Sequence, residues 1–148
     1  MAELVVSYLK LIKKDPNNFI DAALEKKGLP FTTENRARTI WEDYAKDPYL
    51  SLKMGLEQHR SNIHLVDYNE LVSNPDTVLN GIYDFLGMPR HRHGFANIDN
   101  TCAEAKDEAW GLKDLHTIRP KLQKTSDDPV EVLGENLTGF FRQYDLKA

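Results

Sequence analysis

The chain has 148 residues, of which 41% are hydrophobic and 28% charged. That length can bury a core without disulfides or metal, and that apolar share excludes a wholly disordered chain. Lys+Arg 19 against Asp+Glu 23 give a formal net charge of -4, which argues against a general nucleic-acid binder but leaves room for a local basic pocket around a small anion. Cys102 is the single cysteine, so no internal disulfide forms and nothing asks for an oxidising compartment. Apolar stretches such as Leu4–Leu11 fall well short of the roughly 20 residues that span a bilayer. The first residues carry no basic segment followed by an apolar one, so no leader peptide is visible. These features predict a soluble, cytoplasmic protein with neither membrane nor nucleic acid as a partner. Asn136-Leu137-Thr138 fits a glycosylation sequon, which in that setting is a chance match.

In chain order, Leu4, Val5, Tyr8, Leu9, Leu11 and Ile12 form a broad helical stripe with no capping residue ahead of it. Asp15-Pro16 predicts the cap and first position of a second helix, with Phe19, Ile20, Ala23 and Leu24 on one face and Gly28 as its stop. Thr32 or Thr33 opens a third helix carrying Ala37, Ile40, Trp41 and Tyr44, which Asp47-Pro48 ends. A fourth follows, with Tyr49, Leu52, Leu56 and His59 on one side. Asn62–Tyr68 is the only convincing strand. Asn74 then caps a helix with Pro75 at its first position, an expected buried stripe of Val78, Leu79, Ile82, Tyr83, Phe85 and Leu86, and Gly87 at its end. Residues 90–128 read as extended loop. A last helix starts near Asp128-Pro129 and carries Val132, Leu133, Leu137, Phe140, Phe141 and Tyr144.

One strand among five or six helices leaves backbone N–H and C=O groups unpaired, which is costly if they are buried. Four solutions follow. The strand pairs with a partner chain such as a second copy, with part of the 90–128 loop, or with a sheet outside this sequence, or the fold is effectively all-helical.

Two segments carry a family resemblance. Val66-Asp67-Tyr68-Asn69-Glu70-Leu71-Val72-Ser73-Asn74-Pro75 runs on to Ile82-Tyr83-Asp84-Phe85-Leu86-Gly87-Met88-Pro89. This resembles the sulfotransferases that use the sulfate donor PAPS, where a strand ends in a Y-E-D-L-like motif, an N-P turn follows, and a helix closes with F-L-G-x-P. Ser7-Tyr8-Leu9 is similar to the start of that family's post-strand helix. Thr33-Glu34-Asn35-Arg36 with Trp41-Glu42-Asp43, Gly94–Ile98, and Leu115–Lys121 resemble one bacterial-type branch.

The resemblance implies a P-loop-related α/β fold of the sulfotransferase type, although this chain reads as predominantly α-helical with one or two short strands. It implies transfer of a sulfuryl group from PAPS to an acceptor hydroxyl or amine of a small molecule or glycan. Ser7 matches the serine that binds the donor's 3′-phosphate, and Tyr68 the tyrosine that frames the nucleotide. Arg119 and Lys121 lie where many members have a basic loop over the 3′-phosphate, but without the R-K-G form. No Gly- or Ser-rich turn joins a strand to a helix here, so the 5′ phosphosulfate lacks its usual cradle. The family's arginine partner of the 3′-phosphate would fall before Met1, and the usual catalytic base is absent. The expectation is therefore one domain, residues 1–148, forming the C-terminal part of a sulfotransferase-like domain and inactive alone. The alternative is a non-enzymatic helical interaction module on the same scaffold, with a homo-oligomer covering the orphan strand.

Each candidate has a plainer reading. Ser7 is also a tolerated helix residue, and Tyr68 a half-buried aromatic at a strand end. Arg119-Pro120-Lys121 is an anion clamp or an exposed turn. His116 is the candidate acid–base group, because a histidine titrates in the neutral range; packing in a loop is its ordinary role. His91-Arg92-His93 brings metal to mind, with Cys102 or Asp99 as further ligands, but its spacing matches no standard zinc pattern. The expectation is no metal. Arg90, His91, Arg92 and His93 read as a basic loop.

Overall fold

The computed structural model describes residues 1–98 and 119–146. Helices dominate: α1 (Ala2–Ile12), α2 (Phe19–Lys26), α3 (Thr33–Ile40), α4 (Lys46–Gln58), α5 (Tyr68–Ser73), α6 (Pro75–Leu86) and α7 (Pro129–Arg142). A π-helical turn, Trp41–Ala45, joins α3 to α4. The chain divides into two units, Met1–Gln58 with Ser126–Lys147, and His59–Thr125.

In the first unit α1 packs against α3 and α7, and α2 against α3. Its core gathers Val5, Val6, Leu9, Ile12, Ile20, Ala37, Ile40, Trp41, Leu133 and Phe141. The inward stripe of α1 is Ala2, Val5, Val6, Leu9 and Ile12, so Leu4 of the expected stripe faces out, 43% exposed. Met1 supplies no side-chain cap; its amino group pairs with Asp145 instead.

Asp15-Pro16 does not begin α2. Asp15 accepts from the Asn17 N–H at 2.9 Å, closing a turn, and Asn18 caps the helix by accepting from the Asp21 N–H at 2.8 Å. Its end is a Schellman motif: Gly28 has φ +66, the Leu29 N–H donates to Leu24 O at 3.0 Å, and the Gly28 N–H donates to Glu25 O at 3.0 Å. Thr32 caps α3, accepting from the Asn35 N–H at 3.1 Å.

Asp47-Pro48 does not end the third helix either. The Lys46 N–H donates back to Trp41 O, five residues away. Helix α3, the π turn and α4 thus run on without a break through Asp47-Pro48. Helix α7 starts as expected, with Asp128 accepting from the Val130 N–H at 2.8 Å. It bends at Gly134, whose φ 75 and ψ 167 are non-helical. Buried Thr138 spans the bend by donating to Pro129 O at 3.0 Å.

In the second unit the expected strand at 62–68 is not formed among the described residues. Arg60–Asn62 is a 3-10 turn, residues 63–67 run extended without a ladder partner, and Tyr68 opens α5. The pattern of Ile63, Leu65 and Val66 suits a strand, but a strand exists only where another backbone meets it. Among the described residues the one pairing is an isolated antiparallel bridge, Ala96↔Lys121, inside the stretch read as loop. Helix α6 has Pro75 at its first position, as expected, but the Asn74 side chain makes no capping bond. Gly87 ends it at φ 65, with the Met88 N–H donating to Tyr83 O at 2.9 Å.

Candidate functional site

Ser7 lies on α1 in the first unit, on the exposed side of the helix. One turn on, Lys10 is drawn to Asp127 at 3.1 Å, so that cation is already neutralised.

Tyr68, Arg119 and Lys121 belong to the second unit. Asp67 accepts from the Glu70 N–H at 3.0 Å, and this cap starts α5 at Tyr68 and leaves the tyrosine 45% exposed. At the Ala96↔Lys121 bridge the Ile98 N–H donates to Pro120 O at 3.1 Å and the Leu122 N–H donates to Phe95 O at 3.3 Å. The second of these bonds flanks the pair, while the first comes from one residue further on, past Asn97 in its left-handed conformation at φ 58, so the bridge is an irregular one. Pro120 stiffens the backbone between Arg119 and Lys121. Both cations are exposed, and among the described residues neither takes part in an ion pair. The bridge thus ties Gly94–Ile98 to Arg119–Lys121, two segments 20 residues apart that the sequence marks separately.

Arg90, also in the second unit, is less available. It forks onto Asp84 with contacts of 2.9 and 2.6 Å. The hydrogen bonds from Arg90 hold the Asp84 carboxyl below the usual carboxylate range, and those same bonds raise Arg90. Of the four residues read as a basic loop, one is thereby neutralised. His93 meets the hydroxyl of Tyr83 through Nε2 at 2.9 Å, a contact the sequence did not mark, because Tyr83 reads as one more apolar member of the α6 stripe. The signal for it is the turn at Gly87 and Pro89, which sends the chain back along α6.

His116, Cys102 and Asp99 lie outside the described residues. Among the described residues no group of three or more His, Cys, Asp or Glu could hold a metal, and no helix is long and apolar enough to cross a membrane.

A family model, the sulfotransferase domain, matches residues 4–125, more than half of the chain, and the chain belongs to that family. No curated protein and no solved structure matches it.

Proposed function

We propose that this chain acts in PAPS-dependent sulfuryl transfer and contributes the 3′-phosphate side of the donor site. When bound, PAPS supplies an activated sulfuryl group for an acceptor hydroxyl or amine, here of a small molecule or glycan. The observation that carries the reading is the bridge at Ala96 and Lys121 within a sulfotransferase-domain match. It joins two segments of the motif series and leaves two cations exposed on a stiffened turn. In the second unit Arg119 and Lys121 suit a phosphate by charge, and Tyr68 suits a nucleotide by its exposed ring; Ser7, in the first unit, is proposed on the resemblance alone.

The fit is one-sided. The sequence offers no Gly- or Ser-rich turn between strand and helix, so no residue is assigned to the 5′ phosphosulfate, and residues 1–148 alone are proposed to transfer little or no sulfate. His116 is the proposed acid–base group. The P-loop-related sheet and the cytoplasmic setting belong to the same proposal.

Calorimetric titration with the desulfated product PAP tests it. Weak binding that falls several-fold in Lys121→Ala and in Ser7→Ala is expected. Tight binding by residues 1–148 would sink the claim that half the donor site is missing, and no binding at all would sink the assignment of the 3′-phosphate side.

A second reading, a non-enzymatic interaction module, is favoured by the extended, unladdered residues 63–67 and by the exposed Val66, Phe85, Leu86 and Met88. A second copy or a protein partner covers that stretch. A stable monomer by light scattering, with ordinary hydrogen-exchange protection over 63–67, removes this reading.

A further inference from the structure

We propose that the tie between Tyr83 and His93 positions the Arg119–Lys121 turn and, on the donor-site reading above, thereby sets how well this chain holds a 3′-phosphate. The tie is a single polar contact between helix α6 and the loop that returns along it: the Tyr83 hydroxyl and His93 Nε2 stand 2.9 Å apart. Packing alone gives no reason for that hydroxyl. Tyr83 sits in the apolar stripe of α6, where a phenylalanine would fill the same space.

His93 is held on several sides. Its ring lies nearly parallel to that of Tyr83, with centroids 5.8 Å apart and planes at 16°. His91 meets it edge-on at 4.8 Å, and Phe95 lies at 6.3 Å. Tyr83, His93 and Phe95 are all half-buried, which shields the hydrogen bond from competing water. Arg90 forks onto Asp84, the next residue of α6, so the chain beyond Gly87 is fastened to two consecutive helix positions.

From His93 three residues, at most about 10 Å of chain, lead to Ala96 and its bridge to Lys121. The Leu122 N–H donates to Phe95 O, and the Ile98 N–H to Pro120 O. Even a whole two-stranded hairpin is marginal in water, and an isolated bridge is weaker still. Its persistence therefore depends on how much freedom the joined segments have already lost. Residues 93–96 have lost theirs to α6, and the bridge passes that order to Arg119 and Lys121. All of these residues belong to the second unit.

Amide exchange by NMR and calorimetry on the whole chain test this together. Tyr83→Phe keeps the ring and loses the hydroxyl. It should speed exchange at Ile98 and Leu122 several-fold and leave exchange within α6 unchanged. The loss of one hydrogen bond should weaken PAP about fivefold, with adenosine 5′-monophosphate, which lacks the 3′-phosphate, unaffected. His93→Ala should do the same, whereas His93→Gln, whose side-chain amide still reaches the hydroxyl, should keep most of both properties. Unchanged exchange at Ile98 and Leu122 in Tyr83→Phe would overturn the proposal, and so would undiminished PAP binding alongside faster exchange. If the unaltered chain does not distinguish the two nucleotides, the donor-site reading falls, and exchange at Ile98 and Leu122 alone decides whether the tie holds the turn.

Discussion

The two units of the chain differ in how much they bury. The first has a dry core in which Val5, Ile20, Leu24, Ala37, Ile40 and Phe141 are completely buried. In the second, no described residue is fully buried; α5 and α6 bury none, and Phe85, Leu86 and Met88 are 41%, 56% and 53% exposed. Yet α6 has a strong apolar stripe, as regular as that of α1. An amphipathic sequence therefore sets which face of a helix is apolar, and not whether anything covers it. Three of the four candidate donor residues, Tyr68, Arg119 and Lys121, lie in the unit with little buried surface. Segments that bind ligands are drawn from the less stable parts of a fold, and this unit fits that rule.

The contrast can be broken most sharply at two phenylalanines. Phe141→Ala removes a fully buried ring and should cost about 3–5 kcal/mol, whereas Phe85→Ala on α6 should cost about 1 kcal/mol. Chemical denaturation of both variants decides this; equal costs would mean that the difference in burial carries no energetic weight.

Next comes the Arg36–Asp21 fork, two contacts of 2.7 Å within the first unit. Arg36→Ala should cost about 2 kcal/mol, because it leaves a part-buried carboxylate short of its charged partner. The Arg36 hydrogen bonds hold the Asp21 carboxyl below its ordinary value of 3.8. A lowered pKa means the stabilisation is complete above that ordinary value and is lost as pH falls through the lower, folded-state value. Acid titration of stability should therefore show a limb below about pH 4 that is flattened in Arg36→Ala; an identical acid limb in both proteins would contradict the assignment.

Backbone effects are smaller. Gly134→Ala puts a side chain at φ +75 and ψ 167, a region only glycine occupies readily, and should cost about 2 kcal/mol. Gly28→Ala, at φ +66 with nothing near the new methyl group, should cost about 1 kcal/mol. Thermal unfolding of the two variants gives their order, and a reversed order would show that the bend in α7 is relaxed easily. In the second unit, Asp67→Ala removes the α5 cap for about 1 kcal/mol; this should be seen as faster hydrogen exchange at Glu70 and Leu71 and not in α1.

Much of this was legible in the sequence, and the failures have physical causes. Periodicity marks α1, α6 and α7 as helices, and the glycines at 28 and 87 mark helix ends correctly because a left-handed residue has few substitutes. Asp15-Pro16 misled because Asn18, three residues on, was an equally good cap. Asp47-Pro48 misled because α3 runs on through it into α4 by way of a π turn. The strand expected at 62–68 rests on side chains alone, while ladder pairing depends on a distant backbone. For the same reason the Ala96↔Lys121 bridge was invisible: nothing local to either segment names the other. Arg119 and Lys121 are candidates through the resemblance alone, and both are exposed. The Tyr83–His93 contact joins a helix stripe to a loop, and only the fold reveals it.

The central claim is that residues 1–148 recognise a 3′-phosphate within a sulfotransferase domain. It is tested most directly by titrating the chain in parallel with PAP and with adenosine 5′-monophosphate, which lacks that phosphate. Weaker binding of the monophosphate, with the difference abolished in the Arg119→Ala/Lys121→Ala double variant, is the predicted result. Equal affinity for the two nucleotides, or a preference that survives loss of both cations, would contradict it.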